Sequence, residues 1–234
     1  MRIHKKKLLG LIIFALIITN GGIFISKYNK NKNSEIIVKE VVVAETKVEV
    51  ETKQEEVIIV EQEPQKPILK INLAEKYQEL TWYLCQKNDF SYELALSVFH
   101  KESRFEILAV NKNKNLSYDN GLVQLNNQFE KFYIQMAIKY CEFDVNIPFN
   151  KFNPDHSIRA GIGGLVYYRD YWRERGVSEE DLAPMILNSY NMGITGFDKY
   201  IRNTGTISRS YDRDIYKRKE MLEQTGELDE NLLN

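Results

Sequence analysis

The sequence predicts a mainly α-helical fold with little or no sheet. Three observations carry that reading. Apolar residues recur at three-and-four spacing through most of the chain after residue 70, strict apolar–polar alternation is scarce there, and 12% of the residues are aromatic, which supplies bulk for a core. Helices are expected near 72–87, 91–102, 126–141, 157–175 and 179–191. In the second of these, Leu94, Ala95, Val98 and Phe99 line one face. In the third, Phe129, Phe132, Tyr133, Met136, Ala137 and Tyr140 form a buried stripe. The fourth holds Gly161, Gly163 and Gly164, each of which weakens a helix by about 1 kcal/mol relative to alanine. Close approach of another helix is the reading given to these glycines, with an irregular helix start as the alternative.

The 234 residues divide into four segments: 1–25, 26–70, 71–224 and 225–234. Residues 8–25 are an apolar run interrupted by Thr19, Asn20, Gly21 and Gly22, and Arg2, His4, Lys5, Lys6 and Lys7 precede it. A run of that length suits a bilayer span of roughly 17–25 residues, and the basic flank sets the N-terminus inside. An uncleaved membrane anchor is expected, because no small-x-small cleavage site follows closely. A cleaved signal peptide is the alternative, and both export the remainder. Residues 26–70 are dense in Lys, Glu and Val, with little to build a core, and are read as a flexible charged stem with a coil span of roughly 35–40 Å. Within it Val41-Val42-Val43 and Val57-Ile58-Ile59-Val60 suit short strands. A segment that binds cell-wall or secretion-apparatus proteins is the alternative to a plain stem. Residues 225–234 read as a solvated acidic tail.

Charge and ligand chemistry exclude several classes. From residue 71 onward there are 20 Lys plus Arg against 24 Asp plus Glu, a net of −4, where a nucleic-acid binder shows a basic surface. His4, His100 and His156 lack metal-ligand spacing, so no metal and no cofactor are inferred. Cys85 and Cys141 suit either one disulfide in an exported domain or two buried thiols.

Glu102 continues the apolar stripe of Val98 and Phe99 at the point where the helix gives way to a polar loop. Burial there disfavours the charged carboxylate and raises its pKa, as a general acid working near neutral pH requires. Taken alone, a helix-end Glu most often faces water. Two further signatures change the balance: Gly121-Leu122-Val123-Gln124-Leu125-Asn126 and Ser189-Tyr190-Asn191-Met192-Gly193.

These pieces stand in an order that resembles the lytic transglycosylases of the soluble-transglycosylase (SLT) type, within the lysozyme-like superfamily that includes goose-type lysozymes. The resemblance runs from Glu102-Ser103-x-Phe105 through Ala109-Val110-Asn111 and Gly121-Leu122-x-Gln124-Leu125-Asn126 to Phe152-Asn153-Pro154, Ile158, Gly161, Tyr190-Asn191-x-Gly193 and Tyr211. It implies a lysozyme-like transglycosylase domain and a peptidoglycan glycan strand as substrate. It also implies cleavage of the β-1,4 bond between N-acetylmuramic acid and N-acetylglucosamine. Glu102 is then the acid that protonates the leaving oxygen and afterwards the base that takes the proton of the sugar's own 6-hydroxyl, leaving a 1,6-anhydro end without water.

The same resemblance assigns supporting roles. Gln124 is expected to hydrogen-bond the sugar or the catalytic carboxylate, and Tyr190 to orient Glu102 or the N-acetyl group. Asn191 pins the loop that carries Tyr190, Ser103 is a local backbone partner, Asn111 faces the N-acetyl group, and Tyr211 closes one side of the groove. Gly161 is the family's packing glycine. Val123 stands where Met is usual, Ser189 where Ala is usual, and Ser157 where Asn often precedes Ile. Ordinary glycosidases add a second carboxylate. Asp119 is the nearest in sequence, although Asp119-Asn120-Gly121 is also strong turn chemistry. A hydrolytic muramidase and a non-catalytic wall-binding scaffold are therefore the competing readings. A cell-membrane protein with its catalytic domain outside, or one secreted after cleavage, follows from the N-terminal segment.

Overall fold

The computed structural model describes residues 66–233 throughout, together with three short strands of the N-terminal segment. The chain separates into two units, 1–65 and 66–234. In the first, β1 (Ala15–Thr19) pairs antiparallel with β2 (Gly22–Ser26), and β2 with β3 (Val41–Val43). The register pairs Thr19 with Gly22 and Ala15 with Ser26, and the strands are rich in β-branched Ile. The described part of the expected membrane-crossing run is thus strand rather than helix. Among the described residues no helix is long and apolar enough to cross a membrane. The strand expected at 41–43 is present, whereas Val57–Val60 and most of the 26–70 stem lie outside the described residues.

The second unit is helical. Helix α1 (Glu75–Lys87) is followed by α2 (Tyr92–Ser103), whose N-terminus is capped by Ser91 accepting from the Leu94 amide at 3.1 Å. Then come three very short strands, β4 (Val110–Lys112), β5 (Tyr118–Asn120) and β6 (Leu125–Asn126), in one antiparallel sheet. A 3-10 turn at Asn127–Phe129 leads into α3 (Glu130–Cys141). Helix α4 (Pro154–Arg173) starts with Asn153 as N-cap and Pro154 in the first turn. Helices α5 (Glu179–Thr204), α6 (Ser210–Thr225) and α7 (Glu230–Leu233) complete the unit.

Helix α4 is the core element, packing against α1, α3 and α5. Ile158, Ala160, Ile162 and Leu165 are completely buried. Its glycines permit that density. A methyl group on Gly163 would lie 2.6 Å from the Met136 backbone of α3, and one on Gly161 would meet Val123 at 3.0 Å and Phe99 at 3.1 Å. Close helix approach is therefore the reason for the glycines, with α3 at Gly163 and α2 at Gly161. Helix α2 carries Glu102 and is buried over most of its length, so the acid sits on a rigid element.

The small sheet is the little sheet expected in a mainly α fold, its strands of two or three residues tied by side-chain hydrogen bonds. Two sequence expectations are corrected. Helix α5 does not stop at Asn191 but breaks at Gly193 (φ 71°, ψ 158°), a backbone region open to glycine alone, and resumes to Thr204. The acidic tail is not free: Lys70 N donates to Gly226 O at 2.8 Å, Leu228 packs on the core, and the His100 Nε2 group meets Glu230 Oε1 at 2.7 Å. Cys85 and Cys141 are both free thiols, fully buried. Burial pushes Cys141 up to about 12 and Cys85 higher, so neither forms a thiolate.

Candidate active site

Glu102 lies in the last turn of α2, and the chain leaves the helix immediately after it. Arg104 and Phe105 take left-handed backbone conformations (φ 53° and 65°), and the buried Phe105 ring lies 5.2 Å from the His100 ring, centroid to centroid. Two consecutive non-glycine residues in that region are held only where packing over-determines them. Ser103 contributes from the next position, its hydroxyl donating to Leu122 O at 2.6 Å and to Phe99 O at 3.3 Å. That bond ties the acid's helix to the Gly121–Leu125 turn, the backbone role expected of Ser103.

The Glu102 side chain is half-buried on the wall of a cavity of about 910 Å³. Its Oε1 accepts a hydrogen bond from the Tyr211 hydroxyl of α6. Burial pushes the carboxyl up to about 7, the Tyr211 hydrogen bond pulls the other way, and the Asp119 charge adds to the rise. Tyr211 is itself buried, and desolvation together with the Glu102 charge holds its hydroxyl well above the ordinary range, so it remains a donor. Near neutral pH the carboxyl is therefore poised between its acid and base forms, which is the condition for giving a proton and then taking one.

Asp119 is on strand β5 rather than in a turn, and it lines the same cavity. Its Oδ2 accepts from Asn113 Nδ2 at 2.8 Å and its Oδ1 from Asn126 Nδ2 at 2.7 Å. Ser117 joins these amides, accepting from Asn126 at 3.0 Å and from Asn113 at 3.1 Å. The small sheet is the frame that holds this second carboxylate in place.

The remaining expected residues are near the site, with altered duties. Gln124 lines the cavity, yet its amide is fully engaged: Oε1 accepts from Asn111 Nδ2 at 2.7 Å, and Nε2 donates to Gly121 O at 2.9 Å and Ala109 O at 3.2 Å. Gln124 thus stabilises its own left-handed backbone (φ 52°) and the turn around it, and makes no bond to Glu102. Asn111 is drawn into that turn. Tyr190 donates to Val123 O at 2.8 Å instead of to the acid, locking α5 onto the same turn. The acid-orienting hydroxyl expected of Tyr190 belongs to Tyr211. Asn191 lines the cavity, and its Oδ1 accepts from Arg209 at 2.9 Å, joining the end of the first half of α5 to the start of α6. Residues missed in the sequence are Asn113 and Asn126, which hold Asp119, and the ring wall of Phe129, Phe132, Tyr133 and Tyr167. Asn126 stood in the Gly-Leu-x-Gln-Leu-Asn string, Phe129, Phe132 and Tyr133 stood in what read as a plain core stripe, and Tyr167 was not singled out.

A half-buried glutamate on a helix end, a glycine-broken helix and a small sheet thus meet at one cavity. The description of the Transglycosylase SLT domain matches residues 80–212, more than half of the chain, and the chain belongs to that family. A comparison with curated proteins finds no match. The matched span runs from the middle of α1 to the first residues of α6 and includes Glu102, Asp119, Gln124, Tyr190 and Tyr211. Family membership gives the chain a lytic-transglycosylase type of activity, with peptidoglycan as its substrate.

Proposed function

We propose that this protein cleaves the β-1,4 bond between N-acetylmuramic acid and N-acetylglucosamine without water, leaving 1,6-anhydro ends, with Glu102 as the acid and then the base. The supporting observation is the state of Glu102: half-buried on the cavity wall, bonded to one hydroxyl, and raised to about 7. Its protonated form gives the proton to the leaving oxygen. Once ionised, it is stabilised by the Tyr211 hydroxyl and has the basicity to accept the 6-hydroxyl proton. Gln124, Tyr190, Ser103 and Asn111 act as positioning residues that hold the Gly121–Leu125 turn against α2 and α5, while Asn191 faces the substrate.

Asp119 supports a second reading. A paired carboxylate on the same cavity is what a hydrolytic muramidase uses to stabilise the sugar cation or to activate water. Mass spectrometry of fragments released from purified peptidoglycan by the full-length protein decides between them. Products one water lighter than reducing-end fragments, absent with Glu102→Gln, are expected. Reducing ends would give the reaction to the hydrolase, and no Glu102-dependent products from folded protein would favour a wall-binding scaffold.

For residues 1–25 the proposal is export, as a membrane anchor or as a signal that is removed, supported by the basic residues ahead of the apolar run. Residues 26–70 are proposed to place the enzyme within the wall or to meet cell-wall and secretion-apparatus proteins. Fractionation with N-terminal sequencing separates anchor from signal.

A further inference from the structure

The segment after α6 lies beyond the family match, which ends at residue 212, and it returns to the back of the acid's helix. Gly226 closes α6 in a left-handed conformation (φ 72°), and its carbonyl accepts from the Lys70 amide at 2.8 Å. The Lys70 ammonium meets Glu227 Oε1 at 2.7 Å, and Leu228 packs on the core. These contacts bring α7 to α2. There Glu230 uses both carboxylate oxygens: Oε1 lies 2.7 Å from His100 Nε2, and Oε2 lies 3.8 Å from Arg104 Nε. The two partners bracket Glu102, one on each side of it in the chain.

The backbone needs support at this point. The last carbonyls of a helix lack helical partners, and α2 gives way directly after Ser103 to left-handed Arg104 and Phe105. Such an end frays unless tertiary contacts hold it. His100 also reaches the opposite way. Its Nδ1 accepts from Arg218 Nε at 3.2 Å, so its Nε2 carries the hydrogen and donates to Glu230. Arg218 belongs to α6, the helix whose Tyr211 hydroxyl donates to Glu102. One buried imidazole therefore sets the helix of the acid against the helix of its hydrogen-bond donor, and Glu230 holds the imidazole. Lys101 and Asp214 tie the same two helices, but both side chains are partly exposed.

We propose that Glu230 is a positioning residue for the reaction: through His100 it holds the end of α2 against α6, at the separation that keeps the Tyr211 hydroxyl on Glu102. This rests on the reading of Glu102 as the acid. The working site of this chain thereby includes a segment outside the matched domain.

The test measures turnover of solubilised peptidoglycan by full-length protein. Glu230→Ala is expected to lower kcat about tenfold with KM unchanged, within what a misplaced catalytic group costs. Glu230→Gln keeps an oxygen that accepts from His100 and should restore most of the loss. In a Tyr211→Phe background the contact being positioned is already gone, so Glu230→Ala should cost about twofold or less. Glu230 is half-buried at the surface, away from the core, so both variants keep their fold.

A second measurement needs no turnover: titration of the Glu102 carboxyl by carbon-13 NMR, assigned by its absence in Glu102→Gln. The groups that face Glu102 are Tyr211, Asp119 and Lys101. Loosening the Tyr211 hydrogen bond disfavours ionised Glu102, so Glu230→Ala should raise the midpoint, whereas loss of the Glu230 charge alone would lower it. An equal loss of kcat in both backgrounds, an unchanged kcat, or a midpoint that does not rise would each overturn the positioning role. A raised midpoint in a protein that releases no Glu102-dependent products would keep that role and remove the proposed reaction.

Discussion

His100 and Glu102 are two residues apart on the same helix, and burial pushes both toward their neutral forms, yet they end in opposite situations. His100 faces the back of the site. Its Nε2 group meets Glu230 Oε1 at 2.7 Å, and its Nδ1 accepts from Arg218 Nε at 3.2 Å, so both ring nitrogens are satisfied. Glu102 faces the cavity, with one hydroxyl partner and the rest of the carboxyl turned to open space. Desolvation alone therefore does not mark a catalytic group. What separates the two is whether the protein completes the hydrogen bonding of the buried group or leaves that to a substrate.

Removing the acid breaks the comparison most completely. Glu102→Gln keeps the shape and loses the proton, so glycan cleavage should fall on the order of a thousandfold or more. Stability should move the other way. Because the folded pKa of Glu102 lies above its ordinary value of 4.5, the folded state holds the proton more tightly than the unfolded chain, and stability falls as pH rises through the window from 4.5 to about 7. Glu102→Gln has no such penalty. It should be more stable than wild type at pH 8, by on the order of 1–3 kcal/mol, and close to it at pH 4, below the window. Thermal melts at the two pH values check this, and an identical difference at both would remove burial as the cause of the shift.

The next largest effects sharpen the electrostatics around the acid. The Tyr211 hydrogen bond favours ionised Glu102 and the Asp119 charge disfavours it. Tyr211→Phe should therefore move the alkaline limb of the rate profile up, and Asp119→Asn should move it down. Tyr211→Phe should also lower kcat about tenfold, in line with the ~1.5–3 kcal/mol of a hydrogen bond to a charged group. If both variants shift the limb in one direction, the assignment of these two neighbours is wrong. Asp119→Asn also bears on the second reading, because a hydrolase that uses Asp119 would lose turnover far beyond what a shifted limb explains.

How much of this was legible in the sequence follows from the same physics. Glu102 was visible because a charged residue on an apolar stripe breaks a pattern, and the helices α2 to α4 were visible because their buried faces are apolar. Helix α6 was not. Its buried face mixes Tyr211, Ile215 and Leu222 with Asp212 and Arg218, so no apolar period announces it. The sheet escaped because strands of two or three residues show no alternation, and Asn113, Ser117, Asn126 and Asp119 hold it with side chains. The roles of Gln124 and Tyr190 could not be separated from that of Tyr211, since which hydroxyl or amide reaches the acid is settled by distances between elements far apart in the chain. Glu230 was lost in a count of acidic residues that took no account of a buried histidine waiting for it.

That histidine supplies the smallest expected effect, and it has the opposite sign to Glu102. Burial, with Arg218 and Arg104 nearby, holds His100 below its ordinary 6.5, although the Glu230 carboxylate pulls it up. Protonation would place a proton on Nδ1, where Arg218 already donates, and two donors would then face each other. The unfolded chain binds the proton more readily, so this contribution to stability is present above pH 6.5 and is lost as pH falls through the folded pKa. The charged groups that face the ring are Glu230, Arg218 and Arg104. Wild type and His100→Gln share the Glu102 contribution, so their difference isolates the histidine. Between pH 7 and 5 wild type should lose more stability than the variant. If the two melting profiles run parallel, His100 is already neutral or already charged across the range, and the contrast between a completed buried group and an uncompleted one would rest on geometry alone.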